Sequence, residues 1–447
     1  MKLKWSQFVF WIESSGNEKL IARNTLTAST VKITKEVKSV IDKVVDEKQG
    51  LEEVPSIIGS FINQLKNLEM LVPEELDEKQ KYLRLFHEAR AEDNTFGVYL
   101  VLTRNCHLEC PYCFEQGIEQ NLAMDCEMAD NIVRWCQEYL DSHKNCKRFR
   151  IVLYGGEPLL NKRVIKHILP KLHALAENRN LLFELGILTN GEFLDLETVS
   201  FLRHYKLDRV QITLDGPKSV HDKRRVRKDG GGTFDKITEN ILAALKKNLV
   251  KKIHLRINFD RQNIDAIPSL FDSLSTRNIQ DRIELSFGII TSTISKKGKQ
   301  KVSGFWFNDF GLSQRENAAK YLWLCREAKK RGFNISREYL AGPWCTARAI
   351  NSAVIEPDGS LLKCISTVGR KEFIFGNIFS AKNTYDFRFN NFSYLEKCLS
   401  KECPFVPICG GGCRFNAYVD SDSLIEPHCQ RELIETINKG LVELSFK

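Results

Sequence analysis

Three closely spaced cysteines are the residues of this sequence best suited to chemistry. Cys106, Cys110 and Cys113 lie in the segment CHLECPYC, directly after an apolar run. Their Cys-x3-Cys-x2-Cys spacing can direct three thiolates at one iron–sulfur cluster and leave its fourth iron without a protein ligand. An open position of this kind can bind substrate, whereas a structural zinc site normally completes four ligands locally. The pattern therefore favours a reactive iron–sulfur cluster, with zinc as the alternative.

Further cysteines after position 340 predict a second metal-binding region. They are Cys345, Cys364, Cys398, Cys403, Cys409, Cys413 and Cys429. In a reducing compartment grouped cysteines bind metal more often than they form disulfides, so a disulfide framework or structural zinc is the alternative. The remaining cysteines are scattered, and we predict buried thiols at Cys126, Cys136, Cys146 and Cys325.

The composition is that of a soluble globular protein of about three domains. The chain has 447 residues, of which 43% are hydrophobic and 28% charged, and its net charge is +9. Basic residues cluster at Lys223–Lys228 and Lys296–Lys301 but form no stripe interleaved with aromatic residues, so no nucleic-acid partner is expected. Apolar runs are shorter than the roughly 18 residues of a membrane span, and the first one is too short for a signal peptide. We expect a cytoplasmic protein without a membrane partner.

Residues 93–300 predict a parallel α/β domain. Short apolar or β-branched runs predict strands at Val98–Thr103, Arg150–Tyr154, Leu182–Leu188, Arg209–Leu214, Ile253–Phe259 and Ile283–Ile290. Helical periodicity predicts helices at about 127–142, 161–177, 195–205, 235–247 and 265–276. Because strands and helices alternate, the predicted fold class is α/β with a partial (β/α)6 TIM-like barrel.

Polar segments recur where these predicted strands end. The Cys106 loop, Gly155–Pro158, Thr189–Gly191 and Asp215–Pro217 each follow a strand. Barrel enzymes carry their chemistry at the carboxyl ends of the strands, so we expect these segments to form one site. For Asp215–Pro217 a plain turn is the alternative.

The flanking regions predict two further domains and a connection. In residues 1–92 the predicted strands come before the predicted helices, which is a winged-helix-like order. The strands are Phe8–Ile12 and Lys19–Ile33, the second broken by a turn at Asn24 and Thr25. The helices are Val37–Val45, Ile57–Leu71 and Glu75–Ala91. Residues 301–344 predict a bridging region with a helix at 313–331. Its aromatic cluster, which either lines a peptide channel or packs in the core, is Phe305, Trp306, Phe307 and Phe310. Residues 345–447 predict a metal-stapled, turn-rich domain.

The cysteine motif, with Tyr112 before its last cysteine, resembles the signature of the radical S-adenosylmethionine (SAM) superfamily. YGGEP at 154–158 resembles the glycine-rich segment that accepts the SAM amino group, with glycines for close backbone approach and a glutamate for charge. TNG at 189–191, QITLDGP at 211–217 and HDKRR at 221–225 resemble segments of the anaerobic sulfatase-maturase and peptide-maturase branch.

This resemblance implies a set of SAM-binding residues. They are Tyr112, Gly155, Gly156, Glu157, Asn190, Thr213 and Arg225. Among them, Thr213 and Arg225 would contact the SAM carboxylate or ribose, and Tyr112 would lie near the adenine. The cysteine loop, by which we mean the loop that carries Cys106, Cys110 and Cys113, would hold the 4Fe–4S cluster that reduces SAM.

The C-terminal cysteine pattern resembles the SPASM domain, which holds two auxiliary 4Fe–4S clusters. The usual central pattern begins Cys-x2-Cys, whereas here four residues separate the first pair. The family's crossed ligation implies Cys345, Cys364 and Cys413 for auxiliary cluster I. It implies Cys398, Cys403, Cys409 and Cys429 for auxiliary cluster II. Cluster I is then one thiolate short, so either Cys325 supplies the fourth ligand or one iron stays open.

The N-terminal order of elements resembles the PqqD-like domain that recognises the leader of a precursor peptide, with a structural cap on the barrel as the alternative. Sulfatase maturases carry Asp directly after the second SPASM cysteine, where this chain has Ile365. The resemblance therefore implies a peptide maturase of the sactisynthase or ranthipeptide-synthase kind, which modifies a ribosomally made precursor (RiPP biosynthesis).

The activity implied is hydrogen-atom abstraction from the peptide by a SAM-derived radical, followed by a thioether crosslink from a Cys sulfur to carbon. Flavodoxin or ferredoxin would be the electron donor. Carbon–carbon (cyclophane-type) crosslinking shares every motif, and sulfatase-maturase-like oxidation is disfavoured by Ile365. An electron-transfer or iron–sulfur scaffold protein without catalysis is the alternative from another class, and the SAM-binding segments argue against it.

Overall fold

The computed structural model of this chain describes residues 2–13, 18–46, 56–92, 94–115, 118–119, 121–290, 312–336, 339, 345–380 and 387–446. The predicted basic cluster Lys296–Lys301 and the predicted aromatic cluster around Trp306 lie outside the described residues. Within the described residues, no helix has both the length and the apolar character needed to cross a membrane.

The N-terminal unit has strands before its main helices, in the predicted order. Its elements are β1 (Leu3–Trp5), β2 (Val9–Glu13), β3 (Lys19–Asn24), β4 (Thr30–Thr34), α1 (Lys35–Asp46), α2 (Ser56–Asn67), β5 (Leu71–Pro73) and α3 (Glu78–Ala91). Strands β2, β3 and β4 form an antiparallel sheet, and β1 pairs with β5. The predicted turn at Asn24 and Thr25 is confirmed because β3 ends there.

The predicted helix Ile57–Leu71 is too long at its carboxyl end. Helix α2 ends at Asn67, and Glu69 has a left-handed φ of 53° that stops the helix. The amide of Met70 still donates to the carbonyl oxygen of Leu65 at 2.8 Å, which closes the last turn. Leu71 then begins the strand that pairs with β1, a partner too distant in sequence to be seen in local periodicity.

The parallel barrel sheet is confirmed. Its elements are β6 (Thr95–Val101), α4 (Cys126–Ser142), β7 (Arg148–Tyr154), α5 (Lys162–Glu177), β8 (Leu182–Thr189), α6 (Leu196–His204), β9 (Leu207–Thr213), α7 (Lys218–Arg224), α8 (Phe234–Lys246), β10 (Ile253–Phe259), α9 (Ile267–Ser275) and β11 (Ile283–Ile289). Strands β6 to β11 are neighbours in chain order and all parallel. Their carboxyl ends therefore meet at one edge of the sheet.

The C-terminal part of the chain extends this sheet at both edges. Its elements are α10 (Gln314–Lys330), β12 (Asn334–Ile335), β13 (Ser352–Ile355), β14 (Ser360–Leu362), β15 (Gly376–Asn377), α11 (Ser393–Leu399), α12 (Val406–Cys409), α13 (Arg414–Ser421) and α14 (Arg431–Ser445). Strand β12 pairs with β11, and β13 pairs in parallel with β6 before β14 and β15 return antiparallel. This pairing brings the cysteine-rich region beside the first barrel strand, which sequence periodicity did not predict because strands of two to four residues carry too little pattern.

The main core lies between the parallel sheet and its helices. Phe96 of β6 stacks on Tyr139 at 4.0 Å and on Phe149 at 5.5 Å. The scattered thiols Cys136, Cys146 and Cys325 are buried there, as predicted. The prediction was wrong for Cys126, which is only partly buried because it lies at the first residue of α4, at the edge of the same core.

Candidate active site

A cavity of about 570 Å³ opens at the carboxyl ends of the parallel strands. All the residues predicted for the SAM cluster and for SAM, except Glu157, line it. They are Cys106, Cys110, Tyr112, Cys113, Gly155, Gly156, Asn190, Thr213 and Arg225. These residues come from loops after four different strands, so the common position of those strand ends brings them together.

The cysteine loop is fastened by the segment after α7. The amide of Glu109 donates to the carbonyl oxygen of Val226 at 2.9 Å, and the amide of Lys228 donates to that of His107 at 2.9 Å. His107 also contacts the buried carboxylate of Glu192, with 2.7 Å between Nε2 and Oε2. Backbone hydrogen bonds on both sides thus hold the loop in one conformation.

The three thiols of the cysteine loop fit a cationic centre. Burial raises the pKa of Cys106 to about 12 and also raises the pKa values of Cys110 and Cys113. The charges of Glu115, Cys110 and Cys106 raise the pKa of Cys113 further. Described residues contain no His, Cys, Asp or Glu group arranged around a single metal ion. A cation among these thiols removes their protons outright, so a metal cluster relieves the cost of their burial.

Gly155 and Gly156 bring the strand β7 loop against the start of the cysteine loop. The amide of Gly156 donates to the carbonyl oxygen of Thr103 at 2.9 Å. A Cβ on Gly155, whose φ is 143°, would lie 2.3 Å from the carbonyl oxygen of Thr103, and a Cβ on Gly156 would lie 2.5 Å from that of Asn105. The absence of side chains at Gly155 and Gly156 therefore lets the loop after β7 contact the backbone before Cys106. It also leaves the backbone of both glycines accessible from the cavity.

Glu157 lies behind the cavity and positions its wall. The carboxylate is fully buried and accepts hydrogen bonds from Thr189 Oγ1 at 2.7 Å, from the Asn190 amide at 2.8 Å and from the Leu159 amide at 3.0 Å. Burial raises its pKa, and these hydrogen bonds oppose that shift. The GGE carboxylate thus holds the TNG segment in place across the strand ends.

A buried polar cluster occupies the opposite wall. Arg225 Nη1 donates to the hydroxyl of Tyr112 at 2.8 Å, and that hydroxyl contacts Asp215. Asp215 also accepts a hydrogen bond from the Asn258 amide at 3.0 Å. The sequence analysis expected the Asp215–Pro217 segment at this site but gave the Asp215 side chain no role, and the structure buries that side chain against Tyr112.

Two buried donors facing this region lack partners among the described residues. They are Nδ2 of Asn190 and Nε of Arg225. Buried donors without an acceptor are costly, so a polar ligand in the cavity supplies what they need. Together with the thiols, they fit a cluster and a polar, carboxylate-bearing molecule beside it.

A known family matches the region that carries this site. Residues 100–274, from within β6 to within α9, match the Radical SAM superfamily. The protein is an enzyme with a radical SAM domain. The match includes the three thiols of the cysteine loop and the polar segments after β7, β8 and β9.

Relatives of the enzyme cover more of the chain. The cysteine-type anaerobic sulfatase-maturating enzyme of Clostridium perfringens is 24% identical over 359 residues, which are 73% of this chain and 90% of that protein. The structure of anSMEcpe with bound AdoMet has a TM-score of 0.59 at 20% identity and covers 78% of this chain and 93% of that chain.

A second solved relative extends to the N-terminal unit. Streptococcus suis SuiB bound to S-adenosylmethionine has a TM-score of 0.52 at 16% identity and covers 96% of this chain and 99% of that chain. SuiB bound to precursor peptide SuiA gives a TM-score of 0.50. At these identities the likeness establishes the fold alone.

The C-terminal cysteines of the enzyme form two groups. Burial raises the pKa of Cys364 most, and the charges of Cys413 and Cys345 raise that pKa further. Burial likewise raises the pKa of Cys409 most, and Arg348 opposes that shift, whereas the charges of Cys398, Cys403 and Cys429 add to it. These interactions follow the predicted division into two sets, and the assignment of each set to a cluster stays a prediction. Cys325 packs in the main core of the enzyme and does not line the cavity.

The C-terminal region also closes one side of the active-site cavity. Ile365 and Ser366, which follow Cys364, line it together with Phe415 and Asn416. Arg104, at the start of the cysteine loop, pairs with Glu356 after β13 at 2.8 Å, and both side chains are almost fully buried. This ion pair fixes the cysteine loop of the enzyme to its C-terminal region.

Glu115 and Tyr154 are cavity residues that the sequence analysis missed. The hydroxyl of Tyr154 donates to Oε1 of Glu115 at 2.8 Å. Burial raises the pKa of Glu115 to about 7, which the Tyr154 hydrogen bond opposes. The sequence pattern does not indicate this pair, because only the folded loop turns Glu115 back toward Tyr154 at the end of β7.

We expect Asn190→Ala to weaken SAM binding to the enzyme by about tenfold, because it removes the unpartnered buried amide at the cavity wall. Its Oδ1 also accepts the Glu192 amide at 2.9 Å, so a loss of about 1 kcal/mol in the free energy of unfolding accompanies the change. Equilibrium dialysis with labelled SAM and thermal unfolding measure the two effects. Unchanged SAM affinity in a folded variant would contradict this role.

Proposed function

We propose that this enzyme modifies a ribosomally made precursor peptide by hydrogen-atom abstraction and crosslink formation, with a thioether from a Cys sulfur to a carbon as the product. The observation that carries the proposal is the composition of the cavity. It joins the radical SAM residues to Ile365 and Ser366 of the C-terminal cysteine region. An open cavity that has the proposed SAM site on one side and residues next to Cys364 and Cys413 on the other suits a peptide segment that is to be oxidised.

Three 4Fe–4S clusters and SAM are the cofactors of the proposed reaction. Cys106, Cys110 and Cys113 would hold the cluster that binds SAM, and the two C-terminal cysteine groups would hold the auxiliary clusters. When bound, these groups supply one-electron and radical chemistry, while the chain supplies binding, orientation and exclusion of water.

The chain's own residues position SAM in this proposal. Asn190 and Arg225 would offer buried donors to its polar groups, and the backbone at Gly155 and Gly156 would accept its amino group. Tyr112, Glu157 and Thr213 complete the proposed set. Glu157 acts from behind the wall, because its three hydrogen bonds orient the Thr189–Asn190 segment.

The N-terminal unit is proposed to be a PqqD-like domain that binds the leader of the precursor. An antiparallel sheet with an edge strand, β2–β3–β4, suits addition of a peptide as a further strand. The likeness to SuiB supports this assignment, because it extends over 96% of the chain and so includes this unit. A flavodoxin or ferredoxin is the proposed electron donor.

Ile365 favours a crosslinking reaction over oxidation of the sulfatase-maturase kind. A proton acceptor at that position would face the cavity, and an isoleucine cannot accept a proton. Carbon–carbon crosslinking keeps all the same residues and is the second candidate among peptide crosslinks.

The test is a reaction of the anaerobically reconstituted enzyme with SAM, dithionite and the small peptide encoded beside its gene. We expect 5′-deoxyadenosine and a peptide lighter by two hydrogen atoms for each crosslink. Iodoacetamide then leaves the crosslinked cysteine unlabelled, whereas a carbon–carbon product keeps a reactive thiol. An aldehyde captured by a hydrazide would instead establish sulfatase-type oxidation, and the Cys110→Ala variant is the control for enzyme-dependent change.

A further inference from the structure

Three consecutive glycines connect the two C-terminal cysteine groups. Gly410–Gly412 have φ values of 56°, 75° and 87°, all in the left-handed region. Cys409 of one group precedes them and Cys413 of the other follows. A Cβ on Gly412 would lie 2.1 Å from the carbonyl oxygen of His428, so a larger residue does not fit. The relative placement of the two groups therefore depends on what holds this loop.

A buried arginine holds the loop from the side of Cys345. Arg348 is 5% exposed, and its Nη2 donates to the carbonyl oxygens of Gly410 at 2.7 Å and Gly412 at 2.8 Å. Its own amide donates to the carbonyl oxygen of Cys345 at 3.0 Å. The positive charge of Arg348 acts on both Cys345 and Cys409, one from each group.

A second buried arginine holds the loop from the side of Cys413. Arg414 is 3% exposed and donates through Nη2 to the Gly412 carbonyl at 3.1 Å. Its Nη1 donates to the carbonyl oxygens of Leu424 at 2.9 Å and Glu426 at 2.8 Å. The guanidinium carbon lies 3.5 Å from the centre of the Tyr394 ring. Its charge also acts on cysteines of both groups.

These two guanidinium groups bring positive charge to the place where negative charge is expected. Their hydrogen-bond partners in the loop are uncharged carbonyls, which orient the two guanidinium groups. A thiolate-ligated iron–sulfur cluster is anionic, and nearby charges and hydrogen bonds set both its stability and its potential. Burial of a charge is favourable only beside a compensating one.

We propose that Arg348 and Arg414 are positioning residues for the two auxiliary clusters, holding the glycine loop that separates them and compensating their negative charge. This inference rests on the proposed function, since it requires both C-terminal cysteine groups to bind clusters. It adds a role for two side chains that are not themselves ligands.

The experiment uses the full chain with Cys106, Cys110 and Cys113 all replaced by alanine, so that remaining iron belongs to the C-terminal groups. Arg348→Met and Arg414→Met are compared with this background after anaerobic reconstitution. The control is Arg282→Met, because Arg282 also donates to backbone carbonyls, at 2.9 Å to Lys251 and 2.6 Å to Val250, but lies at the other end of the barrel. The readouts are the rate of iron loss to a chelator and the midpoint potentials from an EPR-monitored redox titration.

We expect each Met variant to lose iron about tenfold faster than the background and to have more negative midpoint potentials. Arg282→Met should match the background in both. Arg348→Lys and Arg414→Lys keep the charge but lose the forked hydrogen bonds, so they should lose iron faster at nearly unchanged potentials. If circular dichroism shows that the Met variants do not fold, the rate of iron loss from the Lys variants tests the proposal instead.

Unchanged iron loss and potentials in the folded variants would overturn the role of both arginines. A background that retains no iron would overturn the auxiliary clusters of the proposed function instead. The two failures are therefore distinguishable from the same set of samples.

Discussion

Replacement of Cys106, Cys110 and Cys113 by alanine should abolish reductive cleavage of SAM, lowering 5′-deoxyadenosine formation by at least about a thousandfold. The three thiols line the cavity beside the residues proposed for SAM, and the barrel core lies elsewhere, so the variant should remain folded. The measurement is 5′-deoxyadenosine by chromatography after reaction with SAM and dithionite, with circular dichroism to check the fold.

Cys126→Ala is the matched control for this loss. Cys126 is a partly buried thiol at the start of α4 and does not line the cavity. Its replacement should leave 5′-deoxyadenosine formation unchanged. Cleavage at the wild-type rate in the triple variant would mean that the cysteine loop does not hold the reactive cluster.

Gly156→Ala should be strongly damaging to both the fold and the site. The new Cβ would lie 2.5 Å from the carbonyl oxygen of Asn105 and 2.6 Å from that of Arg104, and both are backbone atoms that cannot rotate away. We expect the free energy of unfolding to fall by about 3 kcal/mol or more. Displacement of the cysteine loop should also weaken SAM binding by about a hundredfold or more.

Gly97→Ala provides the comparison, because the added Cβ would lie 3.8 Å from the Cβ of Ser352, an ordinary contact within the sheet. Thermal unfolding and SAM binding should both remain close to wild type in that variant. If Gly156→Ala bound SAM normally, the close packing of the two loops would have no part in forming the site.

The barrel and the C-terminal region are joined directly, and this connection fixes the position of the loops around the cavity. Strand β13 pairs with β6 from Ser352 opposite Gly97 onward, so both regions belong to one sheet. The buried pair of Arg104 and Glu356 adds a second link beside the cysteine loop. Movement of either region would therefore change the shape of the cavity, which Ile365 lines opposite the strand ends.

Much of this protein could be predicted from its sequence. The strands and helices of the barrel follow from periodicity, because each long element repeats its apolar pattern over several turns or alternations. The segments after β6, β7, β8 and β9 could be assigned to one site, because parallel strands bring their carboxyl ends to one edge. The cysteine spacing favoured an iron–sulfur cluster over zinc, and the resemblance to the radical SAM superfamily then implied the chemistry.

Other features depended on contacts between residues far apart in the chain. The short strands β13 to β15 carry too few residues for a periodic signal, so only pairing with β6 defines them. Glu115 became a site residue because folding buries it beside Tyr154, and the contact of Asp215 with Tyr112 likewise appeared only in the structure. Glu157 proved to support the wall from behind, which its place in the motif did not indicate.

The sequence by itself determined the chemical type of the site and the order of the barrel, because both depend on local spacing and periodicity. Only the tertiary structure decided which side chains face the cavity and which ones hold its walls, because those roles depend on burial and on distances across the fold. The same distinction separates Cys325 from the other C-terminal cysteines. A thiol in a helix can be a ligand or part of the core, and here its packing places it in the core.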